Sequence, residues 1–349
     1  MSDTEGISLS WSGRAPAAPQ KPVKLELSKK GDASCMLLRG DNEAGMRALA
    51  QRSAGQFSLV YMDPPFFTGK THSAVKRTRN KQTGAIVRNI TTAFDDRWES
   101  LPVYLAAIQQ RIAVARDLLR PDGCLVLHVD PKTSHYAKIL CDETFGRDSF
   151  ASEIVWRYRR WPSKTKNFQR VHDVLLRYVK DPGVTPQFHQ LYEPLAPSTL
   201  ATWGKRKQRA VVDADGRRSR SSKTDEDTPG TPMGDVWEIG IVAPVAKERT
   251  GYPTQKPEAL LERLITACTS ADDLILDPYA GSGTTLAVAH RLGRRVVGID
   301  ASPESHKIIR TRLGELGVQP LEERIVLARA AGKPRAARRG PNTATAKAV

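Results

Sequence analysis

The stretch Leu274-Ile-Leu-Asp-Pro-Tyr-Ala-Gly-Ser-Gly-Thr-Thr285 sets the fold class. Leu274 to Leu276 reads as a short strand, Asp277 to Gly283 as a loop, and Thr284 to Leu292 as a helix stopped at Gly293. Arg295 to Ile299 is a further strand, ending at Asp300. Just upstream, Pro257 to Cys268 places Leu260, Leu261, Leu264 and Ile265 on one helical face, with proline at the start. The same grammar recurs far towards the N-terminus. Gln56 to Met62 is an apolar run halted at Asp63-Pro64-Pro65-Phe66, because proline cannot continue a central ladder. Val103 to Leu119 has helical spacing, Cys124 to Val129 is a second buried strand closed by Asp130-Pro131, and His135 to Phe145 is a helix ending at Gly146. Strands alternating with helices predict an α/β fold whose mostly parallel sheet is covered on both faces.

The chain has 349 residues, 40% of them hydrophobic, enough for a real core and for about two domains or one domain with an insertion. No run approaches the ~18 apolar residues of a membrane helix, and the first residues lack the apolar stretch of a signal peptide. No membrane partner and a cytoplasmic location are therefore expected. Cys35, Cys124, Cys141 and Cys268 form no CxxC pair, which argues against a zinc knuckle, and none follows a proline, which excludes the nucleophilic loop that attacks carbon 5 of cytosine. Lys and Arg total 54 against 38 Asp and Glu, a formal charge of +16, and polyanions are the obvious partner.

That charge is clustered. Between Thr68 and Ile90 lie Lys70, Lys76, Arg77, Arg79, Lys81 and Arg88 and no acidic residue, immediately after Phe66, where a phosphate clamp would be useful. Trp156 to Lys180 carries eight Lys or Arg against one acidic residue, with five aromatics interleaved. The bland reading makes those rings the core of a subdomain. Arg157, Arg159 and Arg160 are the better candidates for nucleic-acid contact.

Asp63-Pro64-Pro65-Phe66 gathers a carboxylate, a stiffened backbone carbonyl and an aromatic face at the carboxyl end of a strand, where open α/β sheets place ligands. A nucleobase amino group is a poor nucleophile because its lone pair is delocalised into the ring. Two acceptors that bind its hydrogens draw the nitrogen towards tetrahedral geometry, and an aromatic ring can hold the base by stacking. In the second loop, a strand–Gly-x-Gly–helix turn lets a cofactor reach backbone N–H groups, and Asp300, at the end of the next strand, stands where a carboxylate can bind ribose hydroxyls. Two rival phosphate motifs fail. Gly69-Lys70-Thr71 would need a glycine where Pro64 stands, and the dinucleotide fingerprint would need one at Leu286.

With these loops in place, the sequence resembles the β-class DNA amino-methyltransferases, in which the Asp-Pro-Pro-aromatic motif precedes the cofactor motifs. Gly40-Asp41-Asn42, Ala93 to Trp98, Leu127 to Pro131 and Thr254 to Pro257 share in the likeness, which spans Met36 to Val326. Tyr279 and Ala280 replace the family's usual Phe and Cys. The resemblance implies a Rossmann-like methyltransferase with a mostly parallel seven-stranded sheet, a circularly permuted motif order and an inserted target-recognition region. It implies S-adenosylmethionine as cofactor and no metal. Asp63, Pro64, Pro65 and Phe66 would form the catalytic loop. Asp277, Tyr279, Ala280, Gly281, Ser282, Gly283, Thr284 and Asp300 would line the cofactor site, with Asp41 and Lys256 beside it.

The expected organisation is a disordered tail over 1–22, a catalytic half over 23–155, the recognition region over 156–240 with a mobile loop at about 205–230, a cofactor-binding half over 241–327 and a basic disordered tail over 328–349. The substrate would be double-stranded DNA, methylated on the exocyclic amino group of adenine by base flipping and direct in-line transfer, since Asp at position 63 is commoner in the adenine enzymes. Cytosine-N4 methylation is the nearest alternative, RNA or protein-amide methylation a further one, and non-catalytic DNA binding another. Family members often dimerise and work beside a cognate restriction endonuclease.

Overall fold

A computed structural model describes residues 8–11, 14, 23–79, 86–162, 164, 166–205, 210–212, 214–220 and 227–327. The chain forms β1 (Val23–Lys29), β2 (Asp32–Arg39), α1 (Asn42–Ser53) and β3 (Phe57–Met62), then the hairpin β4 (Thr71–Arg79) and β5 (Ile86–Asp95). Next come α2 (Leu101–Leu118), β6 (Leu119–Val129), α3 (Ser134–Phe145), β7 (Phe150–Arg157) and β8 (His172–Val179). Short elements follow: β9 (Tyr192–Glu193), α4 (Pro197–Trp203), β10 (Ala210–Val212), β11 (Arg218–Arg220), β12 (Thr231–Pro232) and β13 (Val236–Glu238). The C-terminal part is α5 (Glu258–Cys268), β14 (Leu274–Asp277), α6 (Thr284–Arg291), β15 (Arg295–Asp300), α7 (Pro303–Glu315) and β16 (Pro320–Leu327).

Ten strands make one sheet in the order β1-β16-β2-β15-β14-β3-β6-β8-β7-β13. The seven from β2 to β7 are the expected mostly parallel sheet, in which β8 alone runs antiparallel. Beyond expectation, β16 and β1 extend one edge and β13 the other. The central strand Phe57–Met62 is buried at every position, as a strand covered on both faces must be. Its alternation sorts side chains onto the two faces. Leu59 and Tyr61 join Leu260, Leu264, Leu286 and Ile309, the layer of α5, α6 and α7. Val60 and Met62 join Met46, Leu105, Ile112 and Leu140, the layer of α1, α2 and α3.

Three peripheral stretches bear on the expected organisation. Within the N-terminal tail, Leu9 and Trp11 lie against the core and Arg14 pairs with Glu143 at 2.6 Å, so apolar contact and an ion pair hold part of it. The stretch from Trp156 to Lys180 contributes β8 and the end of β7 to the main sheet, with Trp156, Tyr158 and Tyr178 buried in it, because β8 is buried along almost its whole length and Trp156 and Tyr158 turn inward, whatever the basic composition around them. In the 205–230 segment, the described residues include the antiparallel pair β10 and β11, while 206–209, 213 and 221–226 lie outside the described residues, as does 328–349.

Candidate active site

Sheet order decides where a site can form. From β14 the chain crosses to β15 on one side, and from β3 it proceeds to β6 on the other, so the carboxyl ends of β14 and β3 flank a topological switch point. The parallel register pairs Ile275 with Leu59 and Leu276 with Val60, so Asp277 and Asp63 leave neighbouring strands at nearly the same level. Two loops distant in sequence therefore open into one cavity of about 400 Å³, whose lining includes Asp63, Pro64, Pro65, Phe66, Asp277, Gly281 and Asp300.

The Asp63 carboxylate is held by Lys256, whose Nζ donates to both oxygens at 2.7 and 2.5 Å. The same ammonium lies 4.9 Å from the centre of the Phe66 ring. The Lys256 carbonyl accepts from the Thr284 hydroxyl at 3.1 Å, at the first turn of α6. One residue thus straps the Asp63 loop to the glycine turn. Lys256 was expected beside the cofactor. It lines the cavity, and its buried ammonium is paired with the Asp63 carboxylate. A carboxylate offers about four lone-pair positions, so this pairing leaves acceptor capacity on Asp63.

Behind Phe66 lies a fully buried polar chain that the sequence reading left without a role. The His128 ring is 5.5 Å from Phe66, its Nδ1 is 2.8 Å from the Tyr61 hydroxyl and its Nε2 is 3.5 Å from Asp173. Tyr158 donates to Asp173 at 3.1 Å. Burial would raise the Asp173 carboxyl, but the His128 imidazole beside it, the Lys256 charge and the Tyr158 hydroxyl hold it below the usual range. On the other side Asp96 accepts from the Phe67 and Thr68 amides at 3.0 and 2.7 Å, which fixes the backbone after Phe66 where Phe67 adopts a left-handed φ of 55°. The acidic pair in Ala93 to Trp98 was the available signal for this support.

In the second loop Gly281 and Gly283 have φ of +50° and +72°, conformations that favour glycine. A Cβ on Gly283 would stand 2.8 Å from the Ile309 side chain, so the turn also needs the space. Asp300 accepts from the Gly281 amide at 2.9 Å and the Ser302 amide at 2.7 Å, supporting the turn while facing the cavity. Burial pushes the Asp277 carboxyl up to about 7, against hydrogen bonds from Thr285 and Tyr279 and with help from the charges of Asp63 and Asp300. Asp300 is raised too, again by burial first. Ala280, Ser282 and Thr284 are buried in the turn, and all three line the cavity together with Tyr279. Asp41 lines it as well, caps α1 through the Ala44 amide at 2.9 Å and lies 3.4 Å from Arg111. Asn42 donates to the Pro278 carbonyl at 3.0 Å, tying this segment to the second loop.

An aromatic wall completes the cavity. His72 stacks on Phe94 at 4.7 Å, and Phe94 faces Tyr252 at 6.4 Å. Phe94 falls in the Ala93 to Trp98 stretch of the likeness, but no motif joins the three rings, which come from three separate segments. Of the basic candidates, Lys70 is exposed beside the cavity-lining Thr68, while Lys76, Arg77 and Arg79 lie on β4 with side chains outside the described set, where Lys81 also falls. Arg157 is exposed and pairs with Glu238, Arg160 lies over the Tyr158 ring at 5.1 Å, and Arg159 is exposed.

Comparison with known proteins bears on this geometry. Type II methyltransferase M.HpaI of Haemophilus parainfluenzae is 26% identical over 283 residues, 80% of this chain and 76% of that protein. DNA adenine methyltransferase YhdJ of Escherichia coli K12 is 26% identical over 289 residues, 82% and 85% of the two chains. A more local match, 56% over 84 residues, spans 24% of this chain and 31% of Type II methyltransferase M2.DpnII of Streptococcus pneumoniae. The solved M1.HpyAVI–SAM complex aligns over 80% of this chain and 98% of its own, with 18% identity and a TM-score of 0.49. The DNA methylase family model, the N6/N4 methyltransferase group, matches residues 57–311, from the strand under Asp63 to the helix packed on the glycine turn. A chain that carries this match through both cavity-lining loops belongs to the N6/N4 DNA methylase family and is a DNA methyltransferase.

Proposed function

We propose that this enzyme transfers the methyl group of S-adenosylmethionine to the N6 amino group of an adenine flipped out of double-stranded DNA. The observation that carries the reading is the single cavity shared by the Asp63 and Gly281 loops and strapped by Lys256. The donor set fits the cofactor. Asp63, Asp277 and Asp300 converge there, burial and the neighbouring carboxylates raise Asp277, and the glycine turn presents the amino end of α6. Asp277, Tyr279, Ala280, Gly281, Ser282, Gly283 and Thr284 would hold its methionine end, and Asp300 and Asp41 its nucleoside. When bound, it supplies an electrophilic methyl carbon on a sulfonium.

The chain's own residues prepare the nucleophile. Asp63 and the Pro64 carbonyl accept the two amino hydrogens, which localises the nitrogen lone pair. Phe66 stacks on the base, with Pro65 keeping the loop rigid. The nitrogen so prepared would take up the methyl group that the bound cofactor supplies, and the proton it sheds would pass by way of Asp63, which already accepts that hydrogen, to solvent. Holding both partners in one cavity supplies much of the rate. The adenine assignment is supported by Asp at position 63 and by the name of the YhdJ relative. The Type II names of other relatives support a cognate restriction endonuclease as partner, and the family habit supports a homodimer. Basic residues along the cavity rim, Lys70 foremost, would hold the phosphates.

DNA from an unmethylated host expressing the protein should contain N6-methyladenine at one sequence context, read by nucleoside mass spectrometry and modified-base sequencing. Only N4-methylcytosine would overturn the adenine assignment, and no modified base would overturn the activity.

A further inference from the structure

The loop between β7 and β8 carries aromatic residues that the core does not use. Of the five aromatics between Trp156 and Lys180, Trp156, Tyr158 and Tyr178 are buried, whereas Trp161 is 90% exposed and Phe168 fully so. Leaving large rings in water is costly, and an exposed aromatic pair on a charged loop calls for a partner.

The loop's location names that partner. β7 runs parallel to β3 and β14, so residues 158–171 leave the sheet at the same edge as Asp63 and Asp277. The loop's root lies close behind the catalytic loop through ring contacts: Phe66 to His128 at 5.5 Å, His128 to Trp156 at 5.6 Å, and Trp156 to Tyr158 at 4.9 Å. Its base is pinned. The Tyr158 amide donates to the Val171 carbonyl at 2.8 Å, Arg170 pairs with Asp130 at 3.0 Å, and Gln169 donates to the Trp161 carbonyl at 2.9 Å. From Arg157 to Val171 the sequence holds six Lys or Arg and no acidic residue. Arg157 and Arg170 are paired with Glu238 and Asp130, but the stretch itself holds no acidic residue, and exposed rings among its positive charges suit a stacked polyanion and would repel a basic protein surface.

We propose that Trp161 and Phe168 form a wedge that enters the duplex beside the flipped nucleotide and stacks on the bases it leaves behind. This rests on the reading of the enzyme as a base-flipping methyltransferase. Extrusion of a nucleotide costs stacking and pairing energy, and apolar side chains inserted at the step recover part of it. The flanking arginines and lysines would hold the backbone while the rings occupy the gap.

The test uses a synthetic duplex bearing the site found by sequencing, in two forms: fully paired, and with an abasic position opposite the target base. Trp161→Ala and Phe168→Ala are assayed singly and together, with Trp161→Phe as the conservative variant. On paired DNA each alanine variant should lose roughly tenfold or more in methylation rate, the scale of one base–aromatic stack, and Trp161→Phe should retain most of it. On the abasic duplex, where no pairing opposes extrusion, all variants should come within about threefold of the unaltered enzyme. 2-Aminopurine at the target should brighten with the unaltered enzyme on paired DNA and stay dim with the double variant. Equal losses on both duplexes, or no loss on either, would overturn the wedge. An unaltered enzyme inactive on both duplexes would overturn the parent reading, and the wedge with it.

Discussion

Asp277 offers a measurement in which acid–base chemistry reports on the cofactor site. Its carboxyl is raised to about 7, first by burial and then by its neighbours Asp63 and Asp300. A cation in the cavity stabilises the ionised form, so binding of S-adenosylmethionine must be linked to proton release. With a free-protein value near 7, about a tenth of the molecules are ionised at pH 6 and about nine-tenths at pH 8. Calorimetric titration should therefore show affinity for S-adenosylmethionine rising roughly tenfold from pH 6 to pH 8. Asp277→Asn should bind more weakly at pH 8 and lose most of this dependence, which also controls for titration of the ligand's own amine. Stability moves the other way. A carboxyl raised on folding leaves the native state binding more protons than the unfolded one, so stability falls as pH climbs from the ordinary carboxylate value towards 7. At pH 8 the ligand-free Asn variant should thus melt no lower than the unaltered protein, despite binding its cofactor less well. A pH-independent affinity in the unaltered protein, or the same slope in the Asn variant, would refute the linkage.

Two further outcomes follow from the same geometry. Asp63→Ala should lower methylation by roughly 10²- to 10³-fold or more, because the lone pair of the target amino group is no longer drawn out, while S-adenosylmethionine binding changes little; radiolabel transfer alongside calorimetry checks both. Gly283→Ala places a Cβ 2.8 Å from Ile309 at a φ of +72°, and should cost about 1–3 kcal/mol in thermal unfolding and weaken cofactor binding; an unchanged melting temperature would remove the strain assigned to the turn.

Local pattern made much of the fold and of the candidate site legible. Val60 and Met62 alternate with Leu59 and Tyr61, and two helical layers need such a two-faced strand. Asp63-Pro64-Pro65-Phe66 and Asp277 to Thr285 are contiguous, so their chemistry can be read without knowing where they meet. Lys256 was visible as a residue but not as a strap, because its partner Asp63 lies 193 positions away. His128 stands near the end of β6, and only the antiparallel pairing of β6 with β8 brings Asp173 to it. The rings of His72, Phe94 and Tyr252 carry no shared signature and become a wall through the β4–β5 hairpin and the approach to α5.

Composition, periodicity and short motifs, all properties of neighbouring residues, determined the alternating α/β architecture, the positive surface and the identity of the two reactive loops. The tertiary structure alone decided that these loops share a cavity, that a lysine bridges them, that a buried imidazole lies against the Phe66 ring, and which aromatics are exposed. Those facts depend on strand order and register, set by packing across the whole sheet, and no local stretch of chain encodes them.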